Sequence, residues 1–284
     1  MWGAGKNQMN CNTEIDKEIA YYKNLNPKLI DLLDFFSRLN QLQYLYKQPS
    51  VFTTSKDDAL KQFQQDKYLT EGKQWFINKR EFNNISREII KLLKERGEKA
   101  EVFENLLMEL PEEVPANPGE LIKWANQHQS ELEEQWKSTL TYILWQTLSV
   151  FYQNEFRQFR NMDYQSYWTK AICPICGGIP KISRLIKETG KRILACYLCW
   201  TEWPAPRIAC PYCGNTDQNK LGYFYADDNK THRIDICQSC NKYIKTIDER
   251  SLGREVVLEV QDIITYHLDT LAISKGYQTP LNLL

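Results

Sequence analysis

Nine cysteines carry the chemistry legible in this chain. Eight fall as four pairs of identical spacing, Cys173/Cys176, Cys196/Cys199, Cys210/Cys213 and Cys237/Cys240, all within 68 residues. The 161 residues from 12 to 172 contain none, and Cys11 stands alone, read as a free thiol in a loose terminus. Two thiolates separated by two residues reach one ion from a single tight turn, and two such turns complete a tetrahedral four-sulfur site. The Pro and Gly of Cys173-Pro174-Ile175-Cys176-Gly177 and of Cys210-Pro211-Tyr212-Cys213-Gly214 suit that turn. The gaps between successive pairs are 19, 10 and 23 residues. Nineteen and twenty-three admit a hairpin and ten barely does. The expected metal ligands are therefore Cys173, Cys176, Cys196 and Cys199 in one site, and Cys210, Cys213, Cys237 and Cys240 in another. A crossed pairing, first with third and second with fourth, is the alternative. Zinc and iron both accept four thiolates.

Residues 171–250 hold twelve Lys and Arg against eight Asp and Glu. That excess of four, with two divalent ions, balances eight thiolates. The plainest role of such ribbons is a folding staple, because short hairpins bury too little surface to stand alone. Disulfides are the poorer reading, since Met1–Cys11 has no apolar signal core and a reducing compartment is expected. A thioredoxin-like motif would need a CxxC opening a helix in a βαβ setting, which is absent.

The elements that must position these turns follow from the patterning. The cysteine pairs alternate with short β-type runs. Lys181–Ile186 and Arg192–Ala195 flank the turn Lys187–Lys191, Leu221–Ala226 and His232–Ile236 flank Asp227–Lys230, and Tyr243–Asp248 makes a further strand. A last helix is predicted over Arg254–Lys275, with Val257, Val260, Ile264, Leu268 and Leu271 as its apolar stripe. To about residue 165 the chain reads as helix without a convincing strand. Asn26-Pro27 and Asn117-Pro118 supply N-caps. Leu29, Leu32, Leu33, Phe36 and Leu39 recur at helical steps until Pro49. Phe82–Arg96 makes another helix, and Ser130 with Glu133 sets a capping box before the helix of Trp136, Leu140, Ile143, Thr147 and Val150. The expected fold is α+β: an all-α domain over 1–165, a tandem rubredoxin-like or zinc-ribbon module over 166–250, and a C-terminal helix over 251–284 packing on the ribbon or the helical domain.

Length and composition exclude several classes. The chain has 284 residues, 36 Lys and Arg against 36 Asp and Glu, and mean hydropathy −0.56. No run approaches the ~18 apolar residues of a membrane span. Binding along nucleic acid needs a basic face, met only locally by Lys242, Lys245 and nearby aromatics. His128, His232 and His267 are not at ligand spacing to one another, and His267 is expected packed against the last helix's stripe. Trp200 and Trp203 are expected either to shield a metal site or to form a contact face. No phosphate loop, nucleophile elbow or telling carboxylate pair appears, so no catalytic residue is assigned and the chain is read as a non-enzyme.

The cysteine region resembles the FdhE family of formate dehydrogenase accessory proteins. The resemblance rests on CPICGGIP, RILACYLCWTEWPAPRIACPYCGN, YFYADD, CQSCNKYIKTID and LAISKGY, covering about residues 172–277. The DnaJ-type arrangement of four CxxCxGxG repeats does not fit, because only one pair here is followed by two glycines. The resemblance implies a cytoplasmic maturation factor that contacts a formate dehydrogenase catalytic subunit and binds iron in rubredoxin-like sites through all eight paired cysteines. It makes Thr201, Glu202, Trp203 and Arg207 candidates for structural support or client contact. Docking a client to protect it, or controlling the redox or sulfur state of its cofactor site, are the chemistries it leaves open. Pro204 stands where some relatives carry His, so a histidine role there does not apply. The rival readings are a rubredoxin-like electron carrier and a nucleic-acid-binding ribbon protein.

Overall fold

A computed structural model of the chain describes residues 8–45, 52–97, 102–128, 134–160, 162, 164, 167–226 and 230–279. In chain order the elements are α1 (Gln8–Leu25), a 3-10 turn (Pro27–Leu29), α2 (Ile30–Leu45), α3 (Lys56–Gln64), β1 (Phe76–Asn78), α4 (Lys79–Lys94), α5 (Val102–Met108), β2 (Glu113–Pro115), α6 (Pro118–His128) and α7 (Glu134–Glu155). There follow β3 (Pro180–Leu185), β4 (Arg192–Cys196), β5 (Glu202–Ala205), β6 (Leu221–Tyr225), β7 (His232–Cys237), β8 (Lys242–Asp248), α8 (Glu249–Leu252), α9 (Leu258–Ile264) and α10 (Tyr266–Ser274). The protein is α+β, with helices in the first half and the sheet in the second. None of the described helices is long and apolar enough to cross a membrane.

The chain forms two compact units: residues 1–37, 53–71 and 158–281 in the first, and residues 38–52, 72–157 and 282–284 in the second. These units do not coincide with the composition boundary near residue 165, because α1, α3 and the segment to Glu71 belong with the ribbon. In the second unit, α4 opens on Asn78, whose side chain accepts from the Arg80 amide, and its apolar face is buried through Phe82, Ile85, Ile89 and Leu93. Phe82 stacks on Phe151 of α7 at 6.1 Å, and Ser86 hydrogen-bonds Thr147 at 3.0 Å. The Asn117 side chain caps α6 through the Gly119 and Glu120 amides. The short antiparallel pair β1–β2 was not expected in this half. Three-residue strands carry too little alternation to show against a helical background. Pro49, Ser130 and Glu133 lie outside the described residues.

The first unit is built on one six-stranded sheet of order β5-β4-β3-β8-β7-β6. Each ribbon contributes three antiparallel strands, and the two meet where β3 runs parallel to β8, with Ile182 opposite Lys245 and Leu185 opposite Asp248. At this seam Ser183 and Thr246 hydroxyls are 2.6 Å apart, both side chains fully buried. The turn Lys187–Lys191 closes the first hairpin as expected; most of the second turn lies outside the described residues.

One face of the sheet is covered by helices. Ile182, Ala195 and Ile247 pack with Val256 and Leu258, and Ile234 and Tyr243 with Leu268 and Ala272. Ile15, Ile19 and Tyr22 of α1 close over Val260 and Ile264. The single helix expected over Arg254–Lys275 is two, α9 and α10, parted at Thr265, whose hydroxyl bonds the Gln261 carbonyl. The apolar stripe runs through both, so periodicity alone could not show the break. Residue 11 lies within helix α1 rather than a loose terminus; its side chain is outside the described residues. His267 is exposed, not packed.

Candidate metal centres

Each cysteine pair is built by the same backbone turn. In the first, the Cys173 amide donates to the Gly178 carbonyl at 2.7 Å, the Gly177 amide to the Cys173 carbonyl at 3.0 Å, and the Ile175 amide to Cys173 Sγ at 3.4 Å. The third repeats this: Cys210 amide to Asn215 at 2.8 Å, Gly214 amide to Cys210 at 3.0 Å, Tyr212 amide to Cys210 Sγ at 3.5 Å. The residue after the second cysteine turns left-handed in all four, with φ of 68° at Gly177, 57° at Trp200, 71° at Gly214 and 56° at Asn241. Glycine takes that conformation freely, whereas Trp200 and Asn241 hold it under strain.

The turns bring the sulfurs together in the sequential grouping. Within each set the four Sγ atoms lie within 4.8 Å of one another. The separations are 3.5 Å for Cys173–Cys199, 3.4 Å for Cys176–Cys196, 3.6 Å for Cys210–Cys240 and 3.7 Å for Cys213–Cys237. A tetrahedron with metal–sulfur bonds of about 2.3 Å has edges of about 3.8 Å, which these distances approach. They are far beyond a disulfide bond of about 2 Å. The geometry fits a four-thiolate ion in both places, and zinc and iron alike suit that donor set.

The electrostatics point the same way. Burial pushes the Cys173 thiol well above its ordinary value, and hydrogen bonds with its three neighbours push Cys176 up. Burial opposes charge on Cys199 too, yet its thiol neighbours and the Thr201 hydroxyl, 3.2 Å away, hold it well below. In the second set burial raises Cys210, while Cys237, against its own burial, is lowered to about 7 by the Cys240 and Ser239 amides and by its thiol neighbours. Each set thus favours one thiolate that its neighbours serve as donors. Ionising all four needs a cation among them.

The two centres differ in exposure. Cys173, Cys196 and Cys199 are buried, whereas Cys213 is exposed and Cys240 half-exposed. A segment that sequence reasoning passed over covers the first centre: the Leu69 and Thr70 amides donate to the Pro174 and Ile175 carbonyls at 2.8 and 3.0 Å, and the Tyr68 ring lies against Gly177. No pattern in Asp66–Glu71 marks it, since its role is to complete a turn over a hundred residues away. Gly178 approaches the sulfurs; a Cβ there would sit 3.1 Å from Cys176 Sγ and 3.2 Å from Cys196 Sγ. The second centre has Asn215 at the matching position. Because β3 and β8 run parallel, both centres lie at the same end of the sheet. The Tyr212 hydroxyl reaches from the second centre's turn to the Pro180 carbonyl at the start of β3, at 3.3 Å.

Of the other candidates, Thr201 and Trp203 are buried, and Trp203 Nε1 donates to the Lys170 carbonyl at 3.2 Å. Glu202 pairs with Arg184 at 2.8 Å. Arg207 is exposed. Trp200 packs beside the core of Ile182 and Ala195, with the Lys181 ammonium 5.3 Å from its ring centroid. His232 bridges Thr231 and Gln261. Lys245 is 2% exposed and bonds Asp262 and Asp269, each at 2.7 Å. The local basic patch expected from Lys242 and Lys245 is therefore not a surface, because Lys245 is spent on the helix-to-sheet contact.

Comparison with known proteins agrees with this architecture. Residues 172–207 match the family model "FdhE, central domain". The "Protein FdhE homolog" of Aquifex aeolicus (strain VF5) is 36% identical over 113 residues, 39% of this chain and 40% of that protein. Its namesake in Shewanella baltica (strain OS223) is 27% identical over 171 residues, 58% and 56%. The chain thus matches about half the length of these curated relatives. The crystal structure of the FdhE protein from Pseudomonas aeruginosa shares the fold with a TM-score of 0.59 at 20% identity, over 99% of this chain and 97% of that one. Residues 172–207 thus match the FdhE central domain, the chain is similar to curated FdhE proteins over about half their length, and it shares its fold with a solved FdhE protein.

Proposed function

We propose that the chain is a formate dehydrogenase accessory protein, a cytoplasmic, non-enzymatic maturation factor that binds the catalytic subunit of a formate dehydrogenase and is needed for its assembly or activity. The observation that carries this is the pair of four-sulfur centres held at one end of one sheet, the first of them in the stretch that matches the FdhE central domain. Cys173, Cys176, Cys196 and Cys199 would hold one metal ion, and Cys210, Cys213, Cys237 and Cys240 a second. Iron would add a one-electron couple, whereas zinc would add only structure. The residues themselves favour a scaffold. The acids and bases beside the centres are spent on ion pairs, as with Arg184–Glu202 and Lys181–Asp262 at 2.7 Å. Thr201 and Trp203 support the first centre from within.

The test is a host lacking this gene. The formate dehydrogenase catalytic subunit should accumulate there in inactive form, and tagged protein should capture that subunit from a complemented host. Normal formate oxidation in the deletion host would refute the reading. Elemental analysis with visible absorption on anaerobically purified protein would name the metal.

A further inference from the structure

The end of the sheet away from the cysteines carries a second arrangement. The β3–β4 turn places Gly190 left-handed, at φ 65°, and buried. A Cβ on Gly190 would lie 3.3 Å from an Nη1 of Arg207 and 3.3 Å from an Nη1 of Arg250. The two guanidinium nitrogens are therefore no farther apart than twice that distance. Arg207 comes from the loop after β5 and Arg250 from α8, so the chain folds two separate segments to bring like charges together. Arg250 is anchored by Asp248, which accepts from its Nε at 2.8 Å and its Nη2 at 2.6 Å and leaves Nη1 pointing at the glycine. Among the described residues Arg207 has no hydrogen-bond or ion-pair partner, and both arginines are exposed.

Asp248 balances the charge of Arg250, which leaves that of Arg207 uncompensated among the described residues, and a carboxylate with two acceptor oxygens spans the gap between Arg207 and the Nη1 of Arg250. The neighbour of Arg207, Ile208, is 57% exposed. Arginine beside an exposed apolar side chain is the make-up of a protein contact. A nucleic-acid groove would need a continuing basic stripe, but Glu188 lies in the same turn and Asp248 is bonded to Arg250.

We infer that Arg207 and Arg250, converging over Gly190, form a docking site for an acidic segment of a protein partner, a carboxylate taken between the guanidinium groups and an apolar neighbour against Ile208. The identity of that partner as the client rests on the function proposed above; the carboxylate site itself does not.

The experiment is fluorescence anisotropy with a labelled peptide of Glu and Leu residues and its Gln-for-Glu counterpart, on full-length metal-loaded protein. The Glu peptide should bind at low salt and weaken as salt rises, and the Gln peptide should bind at least about 10-fold more weakly. Arg207→Gln should weaken the Glu peptide about 10-fold, and Arg207→Gln with Arg250→Gln further. Among the described residues Arg207 has no partner to lose, so its variant should keep the parent's thermal midpoint and metal content. Equal affinity of parent and Arg207→Gln, or of the two peptides, overturns the site. Capture of the catalytic subunit by the double variant at parental yield would show that the client docks elsewhere, leaving the function standing. Peptide binding lost in the variant, with no capture by either protein, would sink the client and leave the carboxylate site.

Discussion

Gly177 and Gly214 occupy the same place in the two ribbons, and the structure assigns them different costs. Both are left-handed, at φ 68° and 71°. Alanine at either position pays about 1–2 kcal/mol for that conformation. At Gly214 nothing lies within 4 Å of the new Cβ, so this is the whole cost. At Gly177 the Cβ would meet the Tyr68 ring at 2.8, 2.9 and 3.0 Å, and such overpacking adds about 1–3 kcal/mol. Because the energy of a metal ribbon's ion is largely folding energy, both costs should appear in metal affinity. The assay is chelator competition, each substitution made where the other centre is emptied by paired Cys→Ser changes. Gly214→Ala should weaken its centre about 5- to 30-fold, and Gly177→Ala its own by about 30-fold or more. Adding Tyr68→Leu to Gly177→Ala should recover the excess, which a double-mutant cycle isolates. Equal losses at the two glycines, with no recovery, would refute the packing of Tyr68 on the first turn.

Further outcomes follow from the same geometry. Cys173→Ser with Cys176→Ser should remove one of two metal equivalents and spare the other; loss of both would mean a shared site. A chromogenic chelator should strip the intact protein in two phases, the centre with exposed Cys213 first, and a single phase would contradict the difference in burial. Burial opposes the charge of Asp262, but Lys181 and Lys245 overcome that and hold its carboxyl at about 2. A lowered carboxylate contributes fully above its unfolded value near 4 and fades only as pH falls toward 2. Asp262→Asn should therefore cost about 3–5 kcal/mol in urea, equally at pH 6 and pH 8. A deficit confined to one of those pH values would argue against this pair.

The grouping of the cysteines was legible because loop length limits which turns can meet. A ten-residue gap is short for a hairpin, and gaps of 19 and 23 are not. The strands β3, β4, β6, β7 and β8 were legible from alternation between turn residues. The joining of the two ribbons was not, since a parallel seam leaves no local mark on β3 or β8. Nor was β5, whose Trp203 and Pro204 read as motif rather than strand, nor the break at Thr265, which the apolar stripe runs straight through. Lys245 looked like a surface cation because its carboxylate partners, Asp262 and Asp269, come from later helices. Tyr68 and Arg250 acquire their neighbours only through the tertiary fold.

The first strand of one ribbon lies beside the last strand of the other, and an arrangement of that kind does not close on itself. The edges left over, β5 and β6, are the same kinds of edge that meet at β3 and β8. A second molecule could in principle extend the row, and fibres grow by such repetition. Pro204 sits in the outermost strand, opposite Ile193, and offers no amide to a newcomer. A proline in that free edge strand thus works against edge-to-edge growth.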